Sequence, residues 1–226
     1  MEGTSDRNKL IALGAFALIA IVVVAVILIS RGGGSDDSGK QASAAGCERV
    51  EAPPPKRVSF KVPKQTVKRD EKLTAVVETS CGTFDIALDS QRAPKTVNSF
   101  VFLSEEGFYD DLTFPRVAPE FVIQGGSPLG NTTGGPGYSV TEKPPANLSY
   151  TKGVVAMAKT SAEPPGRSGS QFFVVLSADA GLPPEYALVG KVDEGLDVVE
   201  RIGKLGTPQE TPKQTILIEK ISIERG

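Results

Sequence analysis

The sequence predicts a mainly β domain, a barrel or sandwich with helices at its ends, set behind one apolar span and a linker. Three observations lead there. From Leu73 onward the chain breaks into short β-branched and aromatic runs punctuated by Gly and Pro, the pattern of an all-β domain with tight turns. Only two stretches space their apolar residues as a helix does, and both are short. Ahead of them, Leu10 to Ile29 carries no charge at all. A chain of 226 residues holds one ordinary domain of about 100–200 residues and a tail, not two large domains.

Residues 1–9 form a short N-terminal tail. Residues 10–30 then meet the roughly 20-residue length with which a helix crosses the hydrocarbon core of a bilayer. A cleaved secretory signal is the competing reading, but its apolar region usually runs about 7–15 residues with small residues close behind. Here the nearest A-x-A, Ala42 to Ala44, lies far beyond the run, so an uncleaved transmembrane signal-anchor helix is expected. Arg7 and Lys9 before the span are balanced by Arg31 and Lys40 after it, and charge alone leaves the orientation open. A signal-anchor most often leaves the C-terminal domain outside, which makes residues 1–9 cytoplasmic and the domain extracytoplasmic, on a single-pass cell-membrane protein. Residues 31–72 read as linker, small and polar at first, then rich in Pro and Lys from Glu51 to Lys72. That composition favours extended, solvated chain over a core element.

The domain occupies residues 73–226. Leu73–Glu78 and Thr83–Leu88 are β-branched runs joined across Ser80-Cys81-Gly82, which suits a hairpin. Pro94 opens a helix to about Glu105, with Val97, Phe100, Val101 and Leu103 as its apolar face and Gly107 as its stop. Strand-like runs follow at Thr113–Val117, Phe121–Gln124, Val154–Met157, Phe172–Leu176, Leu188–Val192 and Ile216–Glu224, and a second short helix fits Leu196–Ile202.

Composition narrows the chemistry. Lys and Arg number 25 against 27 Asp and Glu, a charge of −2, so the basic footprint of a nucleic-acid binder is missing and no nucleic-acid partner is expected. Without any His, imidazole-dependent triads and His-containing zinc sites are excluded. Two Cys cannot furnish a four-thiolate metal site. A disulfide between Cys47 and Cys81, or two independent thiols, remain. The Gly-rich stretch from Gly125 to Gly137 lacks the strand-to-helix setting of a phosphate loop. No cofactor is expected.

Three blocks carry a specific pattern: T-F-P-R-V-A-P-E-F-V-I-Q-G-G (Thr113–Gly126), G-V-V-A-M-A (Gly153–Ala158) and G-S-Q-F-F-V (Gly169–Val174). In order and approximate spacing they resemble the signature of the cyclophilin-type peptidyl-prolyl cis/trans isomerases. The likeness extends from about Leu73 to Glu224 and includes A-P-K-T-V-N-S-F, G-N-T-T-G-G-P-G-Y and L-V-G-K-V. It implies a closed eight-stranded antiparallel β-barrel capped by two helices and, with the span, a membrane-anchored bacterial form. The implied activity is acceleration of X-Pro isomerisation in unfolded or extracytoplasmic client proteins, with proline-containing polypeptides as partners. A monomer is expected. A non-catalytic Pro-peptide binding or chaperone module tethered to the membrane is the alternative, although a pure binder has no need of a cation in its groove.

An X-Pro bond isomerises slowly because amide resonance holds it planar. In the twisted amide the prolyl nitrogen loses conjugation and accepts a hydrogen bond better, so a fixed cationic donor favours the transition state over either ground state. Arginine suits that task, being always charged and rigidly planar. By resemblance Arg116 is the donor, and Gln124 orients the guanidinium or the substrate. Phe121, Val122, Phe173 and Leu182 match the family's apolar cup for the proline ring, with Tyr186 at its edge where the family usually has His. Met157, Ala158 and Gln171 match the neighbouring surface that receives the substrate backbone. Taken singly, Arg116 reads as a strand-surface Arg and the Phe residues as core. The ordered blocks are what lift them into a site.

The chain also departs from the family pattern. Pro115 stands where His commonly precedes the Arg, and Lys159 stands where Asn is common. Gly181 takes the place of a frequent Trp, which implies weak binding of the family's cyclic undecapeptide inhibitor. The segment Thr160–Ser168 is longer than in compact members.

Overall fold

The computed structural model describes residues 46–226. The expected tail (1–9), the expected span (10–30) and the first part of the linker lie outside the described residues. Among the described residues no helix is long and apolar enough to cross a membrane.

The chain forms β1 (Leu73–Thr79), β2 (Gly82–Leu88), α1 (Pro94–Glu105), β3 (Leu112–Thr113), β4 (Arg116–Ala118), β5 (Val122–Gly125), β6 (Val140–Thr141), β7 (Val154–Met157), β8 (Arg167–Ser168), β9 (Phe172–Val175), β10 (Leu188–Glu194), α2 (Leu196–Gly203) and β11 (Leu217–Arg225). Nine strands build one antiparallel sheet in the order β3-β11-β1-β2-β10-β7-β9-β5-β4, and β6 pairs with β8 apart from it.

The sheet differs from the expected closed eight-stranded barrel. Thr113–Val117, expected as one strand, is divided at Pro115, which has no N–H to give a ladder. Thr113 therefore pairs with β11, while Arg116 begins a separate strand paired with β5. Eight expected runs become nine strands, and the two ends of the sheet, β3 and β4, are joined through Phe114 and Pro115 rather than hydrogen-bonded to each other. The result is a half-barrel, mainly β, with two helices. The β6–β8 pair was not expected, because two residues per strand leave no period to read.

Alternation along β9 sends Phe172 inward, where its ring meets Phe100, Tyr109 and Phe114 edge-on at 5.6, 5.7 and 5.9 Å. The face of α1 formed by Val97, Phe100, Val101 and Leu103 is buried, as its spacing predicts. Pro94 stands in the first turn of α1, and the free N–H groups of Lys95 and Thr96 donate to the Glu142 carboxylate at 3.2 and 2.7 Å. A distant acid thus caps a helix that has no side-chain cap of its own.

The Pro/Lys-rich stretch is extended, as read, but it is not the solvated tether expected. Cys47 is bonded to Cys81 in the β1–β2 turn, and Glu48 N–H donates to the Ser80 carbonyl at 2.6 Å. Lys56 and Phe60 donate their N–H groups to the carbonyls of Pro128 and Pro136, both at 2.7 Å. The Phe60 ring meets Phe102 and Phe108 edge-on at 5.7 and 6.2 Å. Farther on, Asn98 of α1 accepts from the N–H groups of Thr66 and Val67 at 2.7 and 3.0 Å and donates to the Lys64 carbonyl at 3.0 Å. Val67 is buried beside it. Extended chain with no ladder of its own must satisfy its backbone elsewhere, and here the domain surface does so.

Candidate active site

Antiparallel register decides which side chains meet. Arg116 on β4 stands opposite Gln124 on β5, Gln124 opposite Phe173 on β9, and Phe173 opposite Ala156 on β7. Successive side chains alternate across a strand, so this row lies on the face opposite the one that holds Phe172. Arg116 Nη1 donates to Gln124 Oε1 at 3.1 Å, and Arg116 Nε donates to Glu210 Oε2 at 2.6 Å. The guanidinium lies 5.9 Å from the centre of the Phe121 ring. Gln124 Nε2 in turn donates to Gln171 Oε1 at 3.0 Å, and Gln171 Nε2 reaches the carbonyls of Thr132 and Gly134 at 3.2 and 3.1 Å. One line of polar contacts runs from Glu210 through the cation to the loop around Thr132.

Beside the cation lies a cup lined by Arg116, Phe121, Val122, Gln124, Ala158, Lys159, Phe173, Leu182 and Tyr186. Its volume of 170 Å³ is below the ~300–1,000 Å³ of sites that enclose drug-sized ligands, and suits one small apolar side chain. Phe173 and Tyr186 meet edge-on at 5.5 Å. Behind them the Tyr150 hydroxyl donates to the Tyr186 carbonyl at 2.6 Å and accepts from the Tyr186 N–H at 2.9 Å. Burial pushes that hydroxyl up to about 12, so it stays protonated and serves as both donor and acceptor at neutral pH. Lys159 closes another side. Its side chain is 4% exposed, with the ammonium 3.1 Å from Glu185 Oε2 and 5.4 Å from the centre of the Tyr186 ring.

A second, larger cleft of 320 Å³ adjoins the cup and is lined by Thr132–Gly134, Ala158–Thr160, Glu163 and Gly169–Gln171, with Gln124, Ala158 and Lys159 shared between the two. Glu163 shapes its rim by accepting from the Thr160 N–H at 2.7 Å and the Thr160 hydroxyl at 3.0 Å. The bond from the Thr160 N–H, aided by Arg167, holds this carboxyl below its ordinary 4.5.

Of the residues expected from sequence, Arg116, Gln124, Phe121, Val122, Phe173, Leu182 and Tyr186 come together in the cup, Ala158 lies between cup and cleft, and Gln171 lines the cleft. Met157 does not join them. It stands opposite Phe172 and is 1% exposed, because alternation turns its side chain to the interior face. Gly181 is exposed and lines neither the cup nor the cleft: beyond its own chain neighbours no atom lies within 4 Å of where a Cβ would stand, and its φ of +63° is one that L side chains rarely adopt. Sequence reading missed Glu210 and Tyr150. Glu210 is 94 residues from its partner, and no local period marks such a contact.

Proteins of one known family resemble the chain in sequence and in fold. Residues 74–223 match the family model of the cyclophilin type peptidyl-prolyl cis-trans isomerases. Peptidyl-prolyl cis-trans isomerase B of Streptomyces anulatus is 36% identical over 174 residues, 68% of this chain and 98% of that protein. Peptidyl-prolyl cis-trans isomerase-like 1 of Neurospora crassa is 35% identical over 154 residues, 66% of this chain and 93% of that one. Among solved structures, a cyclophilin type isomerase of Cryptosporidium parvum, determined in the presence of the dipeptide Ala-Pro, superposes with a TM-score of 0.63 at 28% identity. It is covered over 99% of its length by 68% of this chain. With a matching family model, two isomerases above 30% identity and the half-barrel itself in accord, the chain belongs to the cyclophilin-type peptidyl-prolyl cis-trans isomerases.

Proposed function

We propose that this isomerase acts by electrostatic stabilisation of the twisted prolyl amide through Arg116, on client proteins outside the cytoplasm, as a monomer tethered to the membrane by residues 10–30. The observation that carries the catalytic part is the guanidinium held by Gln124 and Glu210 in a cup whose walls include Phe121, Phe173 and Tyr186. A proline ring seated against Phe121, Phe173 and Tyr186 brings its nitrogen to the cation. As the amide twists, that nitrogen gains basicity, and the bond from Arg116 strengthens in the transition state more than in either planar form. No proton is transferred and no covalent bond is made. Residues to either side of the proline extend along Ala158 and into the cleft at Gln171. The Cryptosporidium relative's determination with Ala-Pro supports an X-Pro ligand for this groove.

The location rests on two further features. Leu10 to Ile29 is long enough and apolar enough to anchor the chain. The Cys47–Cys81 disulfide fits an oxidising compartment. Right-side-out vesicles carrying the full chain test both parts of the reading. External protease is expected to release an isomerase that accelerates exchange of an X-Pro tetrapeptide, while the remaining stub resists a carbonate wash. A domain protected until the vesicles are lysed sinks the extracytoplasmic assignment, and a chain removed by carbonate sinks the anchor.

A further inference from the structure

We infer that Glu210 is a positioning residue for the isomerisation, holding the Arg116 guanidinium so that its remaining amino group faces the cup. The inference rests on the reading of Arg116 as the donor and extends it to a residue outside the signature blocks. A guanidinium offers five N–H donors in one plane. Glu210 Oε2 takes Nε at 2.6 Å and Gln124 Oε1 takes Nη1 at 3.1 Å. Two bonds at separate nitrogens fix both the swing and the roll of the plane, and among the described residues no hydrogen bond engages Nη2. Without Glu210 the group would be held by Gln124 alone, beside a Phe121 ring whose centre is 5.9 Å away.

The loop that delivers Glu210 is built for the purpose. Thr207 N–H donates to the Thr211 carbonyl at 3.0 Å, Glu210 N–H to Thr207 at 2.9 Å, and Gly206 bridges to Pro212. The Glu210 carbonyl accepts from the N–H of Val117, the residue after Arg116, at 2.8 Å. Backbone and side chain of one residue thus grip the same short strand. The conformation that achieves this has φ +61°, a left-handed geometry that Gly adopts freely and Glu does not. A Glu at such a position carries a backbone cost that the turn itself does not require, and its carboxylate is the group that reaches Arg116.

A carboxylate against a cation also weakens the field the cation sends into the cup. Glu210 has 46% of its side chain exposed, so water screens that charge, and the directional bond is the larger effect. Orientation therefore outweighs attenuation, and a neutral acceptor in place of the acid should serve nearly as well.

The test uses the full chain and four variants, with catalysed exchange of an X-Pro tetrapeptide, peptide affinity and Tm read for each. Glu210→Ala and Glu210→Gly are expected to lower kcat/KM about tenfold, within what small misplacement of a catalytic group costs, with peptide affinity nearly unchanged. Glu210→Gln keeps an acceptor for Nε and is expected to restore the wild-type rate. Glu210→Gly removes the left-handed penalty, so its Tm should equal or exceed that of the parent while its activity falls. A structural role alone cannot separate the two readouts in that direction. Full activity in Glu210→Gly, or Glu210→Gln as impaired as Glu210→Ala, overturns the inference. Arg116→Ala run alongside separates the two readings, since full activity there removes the donor itself, whereas its loss beside an active Glu210→Gly removes only the positioning role.

Discussion

The cup and the cleft beside it share Gln124, Ala158 and Lys159, yet they are made differently. The row of the cup that carries the cation comes from adjacent strands, where ladder register sets Arg116, Gln124 and Phe173 side by side. Its outer wall at Tyr186 is a loop, but one seated on the Tyr150 hydroxyl. The cleft is framed by loops: through side chains Gln171 ties the stretch at Thr132–Gly134 and Glu163 ties Thr160, and through its backbone the docked N-terminal segment bonds Pro128 and Pro136 from outside. Strand register permits few alternatives, because a slip of one residue turns every side chain to the other face. Loop framing tolerates substitution and length change. On the proposed function, reaction belongs to the strands and discrimination among neighbouring residues to the loops.

The strongest way to break that division is at the cation. Arg116→Ala is expected to lower turnover about 10²–10³-fold, the cost of deleting one fixed donor aimed at developing charge. Peptide affinity should fall far less, and parallel loss of rate and affinity in exchange and titration experiments contradicts the assignment. Removing the disulfide probes the other side. Cys47→Ser with Cys81→Ser opens a bridge of sequence separation 34, worth roughly 3–4 kcal/mol in the chain-entropy account. A denaturant melt should register the loss, while the rate on a short X-Pro peptide stays near that of the parent because the docked segment touches the cleft loop and not the cup. A matching fall in that rate would show the two regions to be one mechanical unit.

Smaller effects sharpen the comparison. Tyr150→Phe leaves the Tyr186 N–H and carbonyl without their partner, at a cost of about 1–3 kcal/mol. Proline-peptide binding should weaken, whereas chemical shifts of Thr132–Gly134 should hold. Movement of those cleft signals would refute a seat local to the cup. The smallest effect concerns acid. Glu163 has its carboxyl lowered below 4.5 mainly by the Thr160 N–H, so its contribution is present in full above the unfolded value and is lost as pH falls through the lower folded value. Thr160 and Glu163 resonances should titrate together below pH 4.5 while Gln124 stays still. Independent titration of Thr160 and Glu163 would remove the rim contact from the account.

Much of the cup could be read from the chain because the ordered blocks name Arg116, Phe121, Gln124 and Phe173 together, and where such residues sit in strands alternation adds the face, as in the Phe172–Phe173 pair that divides between core and groove. Met157 escaped because a motif match names a position without saying which way its side chain faces. The docked segment escaped for another reason. Its Pro and Lys content announces extended chain, but the partners that seat it, Asn98 and the carbonyls of Pro128 and Pro136, are distant in sequence. Pro115 carried its own warning, a strand run interrupted by a residue without an N–H. Glu210 carried one only in three dimensions, through its left-handed backbone.

The bond between Cys47 and Cys81 also sets how the domain would bear a load. Tension arriving from the N-terminal side enters the folded body at the β1–β2 turn through the sulfur atoms, and the residues between the two cysteines carry none of it. With the bond reduced, the same pull would first peel Phe60 and Val67 from the surface and withdraw the backstop from the loop beside the cleft. Force spectroscopy would see the change as an added release of about 110 Å of contour, the extended length of some 34 residues. Equal contour lengths with and without reductant would rule the shunt out.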